Sequence, residues 1–509
     1  MEDNLLSLNS QASLTYATGK KYYEGDHYQN GEGWAAPNLP STDPLYHQTQ
    51  RNIRNIFCSK NVIAEVVDNS LTAILGDNLS FEITPPDDDP KNIALADEAN
   101  AALTEWWKDG GLDEILEIAG VEMKFATRGI LRMVVPARFI NQPMARDLAE
   151  ALSRIFCHAP LATQANVAPH PTPMSAKVGI YTYNDDYGGR HTEKTYLDEQ
   201  GLTVIEISSH EANKAVPTSA ITTEISTRLP LGGLLLIHKL QVRRPFITQQ
   251  LIELQKTINL AITMGKQNII RGYSELYFLN VELPVELDPD TLKPKIDPIT
   301  GQPKILPMAT GPGTRNALVG KILENKNDGT YSIANPSIQR FEPIAIDVYQ
   351  NSEEWYYEMM LAQCRQTHLL LTAKATVSEE SRKQSLHTFV SSLSSDITQF
   401  KLATRWVLRV ALNLAAILQG EPGKYEKLKV SVTIKPNTGP LSADEKTQLR
   451  EDYKLSGISL YGWLRERGYD DNEAVVEMQR ITDEMTEKFQ REQAAMAASF
   501  VGEAQQVTQ

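Results

Sequence analysis

The chain has 509 residues, a formal net charge of −14 at pH 7 and a hydrophobic fraction of 41%. At this length a single compact core is not expected, and the chain should form about two to four domains or one elongated subunit. Affinity for phosphate comes mostly from clustered Lys and Arg, so the charge argues against a cationic DNA clamp. The three cysteines, Cys58, Cys157 and Cys364, exclude a disulfide scaffold and a Cys-rich zinc site, and they fit a reducing compartment.

Residues 1–50 are polar and interrupted by Gly and Pro, which predicts a loosely structured arm. Neither a signal peptide nor a membrane span is expected, because no basic segment precedes an apolar one and no apolar run reaches about 18 residues. The arm contains KKYYEGDHYQNGEGW at 20–34, where lysines precede tyrosines, a histidine and a tryptophan. Basic residues among aromatics are compatible with nucleic-acid binding, but in an acidic chain they favour an arm that interlocks with another subunit.

The segment after the arm should alternate helices with strands. Its apolar spacing is at first helical, and Gly76 marks the expected end of that helix. The alternation in LSFEITP at 79–85 predicts a strand, and ADEANAALTEWWKDGG at 96–111 predicts a short helix. We expect VEMKFATRGILRMVVP at 121–136 to form strands with a turn at Gly129.

Residues 176–245 predict a β-rich region, with turns at NDDYGG and DEQG. A long helix should follow, and Pro245 suits its first turn. Its apolar stripe consists of Ile247, Leu251, Leu254, Ile258 and Ile262. Residues 272–345 are Pro-rich with strand-like pieces, which predicts a small β module with a long turn. The stripe of the next helix consists of Tyr357, Met360, Cys364, His368 and Leu371.

These two helices are of similar predicted length and flank the β module. They would therefore carry the module on a two-helix stalk, although a helical hairpin within a bundle is the simpler alternative. A third long helix follows a polar break, with a capping box at Thr376 and Glu379 and an end near Gly420 and Pro422. Its apolar seam consists of Val390, Leu393, Ile397, Phe400, Val407, Ala411, Leu414 and Leu418.

The C-terminal region should be helical after one strand at KLKVSVTIKP, residues 427–436. Ser442 and Glu445 form a capping box, and one acidic helix should run from Asp470 to about Ala497. Residues 441 to 509 hold 14 acidic and 8 basic side chains. No internal repeat of fixed period is expected anywhere in the chain.

GTRNALVGKI at 313–322 is the nearest approach to a phosphate-binding loop. A P-loop needs four residues between its glycines and a Ser or Thr after the Lys, whereas here six residues intervene and Ile322 follows Lys321. A strand preceded by a turn is therefore expected, without a nucleotide site. His210 and Glu211 lack further ligands at metal-binding spacing, so they predict a surface loop.

Three other features have simpler interpretations. Asp87–Asp89 in PPDDDP should be solvated rather than bind a cation. His368 lies on an apolar helix face and should be a packing residue. EDYKLSGISLYGWLRERGY at 451–469 has the form of a helix-turn-helix, but its second helix offers only Arg465 and Arg467 in acidic surroundings. Sequence-specific DNA binding is therefore not expected.

Three segments and the order of the predicted elements resemble one known family. KKYYEGDHY at 20–28 is similar to a Tyr-Tyr-x-Gly-x-His opening, and 51–83 is similar to the segment that follows it, with its Asn, its Val-Asp pair and its Leu-Gly before a strand. LSGISLYGWLRERGYDDNEAVVEMQRITDE at 455–484 is similar to a helical crown. These are features of the portal proteins of tailed double-stranded-DNA bacteriophages, which the chain resembles over nearly its whole length.

The resemblance implies an α+β portal fold that assembles as a ring, with a β-rich wing, long stem helices, a small α/β clip and a helical crown. The implied parts are an N-terminal arm at 1–50, the wing at 51–244, stem helix 1 at 245–271, the clip at 272–345, stem helix 2 at 346–371, the tunnel loop at 372–380, a long kinked helix with a wing strand at 381–436, and the crown with the C-terminal tail at 437–509.

The implied tunnel loop would line the narrowest part of a DNA channel. Its DNA-facing residues would be Thr372, Lys374, Thr376, Ser378 and Glu379. A ring of Lys374 side chains would hold phosphate by charge without reading sequence. Glu379 and Glu380 are equally suited to cap the next helix, where acids complement the helix dipole, and both roles stay open. The chain has Ser378-Glu379 where the family usually has Ser-Gly.

The implied function is a structural conduit and not an enzyme. A dodecameric ring at a single capsid vertex of the virion, assembled in the host cytoplasm, would let double-stranded DNA pass without sequence specificity. Its partners would be terminase, a head-tail adaptor, and the major capsid and scaffolding proteins, with no membrane, cofactor, metal or catalytic residue. The alternative is a cytoplasmic metal-dependent hydrolase that uses the scattered acids. Only the conduit requires a large closed ring with a hole.

Overall fold

The computed structural model has a mixed helix and strand architecture, which agrees with the expected α+β class. The structure describes residues 6, 10–26, 42, 46–140, 142–169, 177–184, 189–210, 222–274, 276–282, 285–289, 291, 293–297, 301–306, 319–324, 331–340, 342–373, 379–436, 459–466, 474–483 and 486.

The helices occur in two groups, one before and one after the β-rich region. They are α1 (Ser10–Glu24), α2 (Tyr46–Ile56), α3 (Val62–Thr72), α4 (Pro90–Asp109), α5 (Leu112–Ala126), α6 (Ala137–Ile140), α7 (Leu148–Ser153), α8 (Gln249–Ser274), α9 (Ile346–Gln363), α10 (His368–Ala373), α11 (Glu379–Ser392), α12 (Ser394–Leu418) and α13 (Leu460–Glu466). Residues 474–483 are also helical, as predicted for the acidic tail. No helix of the described residues is long and apolar enough to cross a membrane.

The strands pair only in the antiparallel sense among the described residues. They are β1 (Leu79–Thr84), β2 (Arg128–Val134), β3 (Phe156–His158), β4 (Ala165–Pro169), β5 (Lys177–Asn184), β6 (Arg190–Leu197), β7 (Thr203–His210), β8 (Thr222–Leu229), β9 (Ile237–Gln241), β10 (Leu276–Leu279), β11 (Val281–Glu282), β12 (Val319–Gly320), β13 (Ile322–Glu324), β14 (Tyr331–Ile333), β15 (Ser337–Arg340) and β16 (Lys429–Ile434).

The predicted β-rich region folds as a five-stranded meander, β4-β5-β6-β7-β8, next to a three-stranded sheet, β3-β2-β9. The predicted DEQG turn is present. The Asp198 carboxylate accepts the backbone N–H groups of Gln200 and Leu202, both at 2.9 Å, and Gly201 adopts φ +77°. Helix α8 then begins at Gln249, four residues after Pro245.

The hydrophobic core lies around α12 and α5. The predicted seam of the third long helix is confirmed, because Leu393, Phe400, Val407, Ala411 and Leu414 are buried. A one-residue break separates α11 from α12 within this helix. Strand β16 buries every second residue and pairs with β1, so two segments more than 300 residues apart close the body.

The prediction of a loose arm is wrong for α1. This helix packs on its own chain, where Tyr22 is completely buried. The hydroxyl of Tyr16 and the ammonium of Lys20 both donate to the buried Glu122 carboxylate at 2.7 Å. The polar composition of this segment did not predict a helix. Only a few side chains attach the helix to the rest of the chain, so no apolar stripe indicates it. Residues 27–34 of the KKYYEGDHYQNGEGW segment lie outside the described residues.

The strand prediction at 121–136 is also wrong in its first half. Helix α5 continues to Ala126, and the chain turns at Thr127, which adopts φ +64°. Gly129 does not form the turn. Instead, a Cβ atom there would lie 2.0 Å from the carbonyl oxygen of Ala119, so glycine is required for the close contact between α5 and β2.

The expected helix that ends at Gly76 is divided in two. Helices α2 and α3 are separated by residues 57–61, and the Asn61 side chain caps α3 by accepting the Ala64 N–H at 3.2 Å. The short helix predicted at 96–111 begins earlier, at Pro90, and its N-cap is Asp89. The capping box predicted at Ser442 and Glu445 lies outside the described residues.

Candidate functional site

A polar stripe on α8 attaches this helix to the body. Gln255, Asn259 and Thr263 lie one turn apart and are buried. The backbone of residues 58–63 supplies their partners. Gln255 accepts two N–H groups at 2.9 and 3.2 Å, Asn259 accepts one at 3.2 Å, and Thr263 both accepts and donates at 3.1 Å. Because buried amides without partners are costly, these bonds fix α8 relative to the start of α3.

Helix α9 holds the opposite side of the same segment. The Tyr357 hydroxyl donates to the Glu65 carboxylate at 2.6 Å. Burial, together with this bond, raises the pKa of Tyr357, so the phenol stays a proton donor. The Lys60 ammonium lies 2.9 Å from the Glu353 carboxylate and 3.8 Å from the centre of the Tyr357 ring. The two helices therefore enclose residues 58–65 between them.

Beyond this base, α8 and α9 run antiparallel and in close contact. Gly265 faces Tyr349, and a Cβ atom at the glycine would lie 3.2 Å from the Tyr349 Cβ. Further along, the Asn268 amide donates to the Ile344 carbonyl at 2.8 Å and accepts the Ile344 N–H at 3.0 Å. We call these two paired helices the stalk. Antiparallel contact is common to a two-helix stalk and to a hairpin within a bundle, so both predictions stay open.

The described parts of the β module at residues 276–340 form only small sheets. Strand pairs β10–β15, β11–β12 and β13–β14 are each only two-stranded. Among the side chains whose burial is described between Ala261 and Met360, which leaves out those of residues 276–278, no apolar one is buried. Isolated two-stranded pairs are marginally stable in water, so a surface that covers this module would add to its stability.

The end of the module, residues 285–306, contains a repeat that contradicts the expectation of none. ELDPDTLKP, KIDPITGQP and the incomplete KILP begin nine residues apart, at Glu286, Lys295 and Lys304. The backbone closes these three positions into a triangle. Each N–H donates to a carbonyl of another unit at 2.8 Å. Two short units and a fragment are too little for detection by periodicity alone.

The side chains of the repeat reinforce this triangle, which we call the tip. The Glu286 carboxylate lies 2.8 Å from the Lys295 ammonium and 2.5 Å from that of Lys304. Hydrogen bonds from these two lysines lower the pKa of Glu286 to about 2. The pairs are exposed, so they orient the tip more than they stabilise it. The residue after each charged position is apolar and about half-exposed: Leu287, Ile296 and Ile305.

The pair β13–β14 is the most exposed apolar part of the module. Ile322 and Ile333 lie opposite each other and are 59% and 74% exposed, and Tyr331 is 71% exposed. The outer edges of both strands have no partner strand among the described residues. Exposed apolar side chains beside open strand edges are typical of a surface that another chain covers.

The predicted tunnel loop at 372–380 overlaps the end of α10 and the start of α11. Thr372 belongs to α10, and Glu379 begins α11. Lys374, Thr376 and Ser378 lie outside the described residues, as does the predicted Thr376–Glu379 capping box. The two helices approach each other on both sides of this segment. The Thr367 and Ser385 hydroxyls are 2.7 Å apart, and the His368 and Phe389 ring centres are 4.4 Å apart.

The prediction of one continuous second helix through 346–371 is wrong. Helix α9 ends at Gln363, and Arg365 adopts φ +57° before α10 begins. Gln366 fixes this break, because its buried side-chain amide donates to the Val66 carbonyl at 2.6 Å. His368 is half-buried against Phe389, as expected for a packing residue, and burial lowers its pKa. The break redirects the chain toward residues 372–380.

The structure describes some of the other candidate positions, and one of the predictions there is wrong. Asp89 caps α4, and Asp87 is exposed and accepts the Asn92 amide at 2.5 Å. His210 ends β7 rather than lying in a loop. The segment 319–324 forms β12 and β13, and α13 contains Arg465. Glu211, Arg467 and residues 313–318 lie outside the described residues.

Within the described part of the chain, no group of three or more His, Cys, Asp or Glu side chains could hold a metal ion. Comparison with known proteins found no family model and no curated protein that matches this chain. Function is therefore inferred from the stalk, the exposed module and the segment at 372–380.

Ile333 tests whether copies of the chain cover the β module. Ile333→Asp should leave the fold of the subunit unchanged, because the side chain is 74% exposed, but it should reduce self-association by placing a charge on the apolar surface. Sedimentation velocity and far-UV circular dichroism measure the two effects. Ile118→Asp on α5, where the side chain is 45% exposed, is the matched control. If Ile333→Asp and Ile118→Asp assemble equally well, β13–β14 is not part of the interface between copies.

Proposed function

We propose that the chain is the portal subunit of a tailed phage. In this proposal a dodecameric ring of subunits occupies one capsid vertex, and viral double-stranded DNA enters and leaves through its channel. The observation that carries the proposal is the stalk that leads to a β module with exposed apolar side chains on two-stranded sheets, among them Ile322, Tyr331 and Ile333. Neighbouring copies in a closed ring would cover such modules equally, without leaving an open edge.

The order of elements supports the same proposal. The wing at 51–244 would contain α3–α7 and β1–β9. Stem helix 1 would correspond to α8, the clip to the β module and stem helix 2 to α9. The tunnel loop lies at 372–380, and the long kinked helix corresponds to α11 and α12, which break at Leu393. The crown would begin after β16. This correspondence depends on the resemblance stated above and on local geometry within one chain.

The negative net charge of the subunit is compatible with a channel through which DNA slides without being bound tightly. Repeated subunits with a net charge of −14 create a field around the hole that repels phosphate, so that DNA can slide. Lys374 would be one of few positive charges that face the DNA. No nucleotide site is proposed in this chain. The motive force would come from a separate terminase, and an adaptor would later replace terminase on the clip. Contacts with the major capsid and scaffolding proteins complete the proposed set of partners.

Lys374 tests the proposed channel lining. Lys374→Glu should leave folding and ring assembly unchanged, because the proposed role involves no packing. It should impair packaging or retention of DNA, since it replaces a ring of positive charge by a ring of negative charge. Nuclease-protected DNA per assembled head is the measurement, and Lys91→Glu on the exposed surface of α4 is the control. A variant that fails to assemble, or that packages normally, contradicts this role.

The tip at residues 285–306 tests the proposed docking of terminase and adaptor. Replacing residues 288–303 by Asn-Gly removes the repeat and leaves five residues between Val285 and Ile305, which is short enough to keep their pairing. Rings should persist, while binding of both partners should weaken, because the apolar side chain of Ile296 and the proline-stiffened turn are both lost.

Docking is measured by co-sedimentation of purified rings with each partner. The control is the wing turn at residues 198–201, shortened to Asn-Gly, which should leave docking unchanged. If the tip replacement prevents ring formation instead, the tip belongs to the interface between subunits.

A further inference from the structure

A cleft of about 1000 Å³ lies between β9 and α12, beside the first strands of the five-stranded sheet. Five cationic side chains line it, and no acidic side chain of the described residues does. They are Lys177, Lys239, Arg243, Arg405 and Arg409. None of these five forms an ion pair with an acidic side chain among the described residues. In a chain of net charge −14, this is a local reversal of sign.

Secondary structure brings these charges together from separate segments. Arg405 and Arg409 lie one turn apart on the exposed side of α12, while the opposite side of that helix forms the core. Lys239 comes from β9, and Arg243 follows that strand. Burial lowers the pKa of Lys239, and the nearby Arg128 and Lys177 lower it further. The cluster is therefore held together against its own repulsion, which a bound anion would relieve.

The floor of the cleft contains a buried polar atom without a partner. The His238 ring stacks on Trp406 with ring centres 5.2 Å apart, and its buried Nε2 has no hydrogen-bond partner among the described residues. Burial and the charge of Lys177 lower the pKa of His238 to about 4, so the ring is neutral near pH 7. The Trp406 indole N–H is already used, since it donates to the Leu235 carbonyl at 3.0 Å. An unsatisfied buried nitrogen beside five cations is suited to a ligand oxygen.

We propose that this cleft binds the phosphodiester backbone of nucleic acid, in a salt-dependent manner and without reading sequence. Three of its five cations are arginines, whose forks match phosphate oxygens in a bidentate manner. The cleft is open and its charges come from two sides, so it exceeds what a single phosphate would occupy. The proposed site uses α12 and β9 rather than the segment at 372–380. The proposal of a phosphate-binding cleft can therefore be wrong while the portal proposal is right, and the portal proposal can be wrong while the cleft binds phosphate.

An acidic protein segment is the competing ligand, and the described part of the chain's own acidic tail is a weak candidate for it. In the helix at 474–483, Glu477 already pairs with Arg480 at 3.3 Å, and Asp483 accepts the Gln479 amide at 3.3 Å. These two acids are the only ones described in that helix. Phosphate, which accepts several hydrogen bonds from arginine at once, is the better match for the unpaired cations.

The test measures fluorescence anisotropy of a labelled 20-base-pair DNA duplex with the full-length chain, from about 50 to about 200 mM salt. Arg405→Gln with Arg409→Gln should weaken binding at low salt by about tenfold or more, and the slope of log K against log salt should fall by about 2, because each lost phosphate contact contributes about 0.9. Lys91→Gln with Lys108→Gln, two exposed lysines on α4, is the charge-matched control and should change neither quantity by a comparable amount.

Three results would overturn the proposal. The first is an equal loss of affinity in the α4 control, which would show that only net charge matters. The second is an unchanged affinity in the α12 variant, provided circular dichroism shows that it is folded. The third is that a labelled poly-glutamate peptide binds the unsubstituted chain at least as tightly as the duplex does, and that the α12 variant no longer binds the peptide. This result would assign the cleft to acidic protein segments. Sedimentation of the same samples reports ring assembly separately, so failure of the portal proposal would be distinguishable.

Discussion

The buried polar stripe of Gln255, Asn259 and Thr263 is the contact on which the rest of the architecture depends. It satisfies the backbone at 58–63 and fixes where α8 leaves the body, while α9 holds the other side of that segment. Once the base is fixed, the antiparallel helices lead to the β module, where the apolar side chains of Ile322, Tyr331 and Ile333 are exposed in one chain. Association with other copies, as proposed above, would cover these side chains.

Apolar periodicity predicted the parts of the fold that bury a continuous stripe. The seam of α12 from Phe400 to Leu414, the long helix α8 and the alternation of β16 all follow from side chains that contact one core. The sequence also predicted a long helix on each side of the Pro-rich segment, and α8 and α9 lie there. The polar stripe at 255, 259 and 263 has the same four-residue spacing, and a search for polar periodicity inside α8 would have found it.

Features that depend on single side chains or on distant segments could not be predicted. Helix α1 has a polar composition, and its attachment rests on Tyr22 and on the contacts to Glu122. The apolar stripe continues through the break after α9, because the cause of the break is one amide, that of Gln366, and not a change in periodicity. The cationic cleft combines β5, β9 and α12, so its five charges are dispersed in the sequence and meet only in the folded chain.

The central claim is that copies of this chain form a closed ring around a channel. Negative-stain electron microscopy of the purified chain tests it most directly, because a closed ring with a hole is visible in single particles. The account predicts rings with a central hole, formed by about a dozen copies, with small projections where the β modules of neighbouring subunits meet. Monomers, dimers or open filaments at every concentration tested would contradict it, since the β modules would then remain uncovered or would pair without closing a channel.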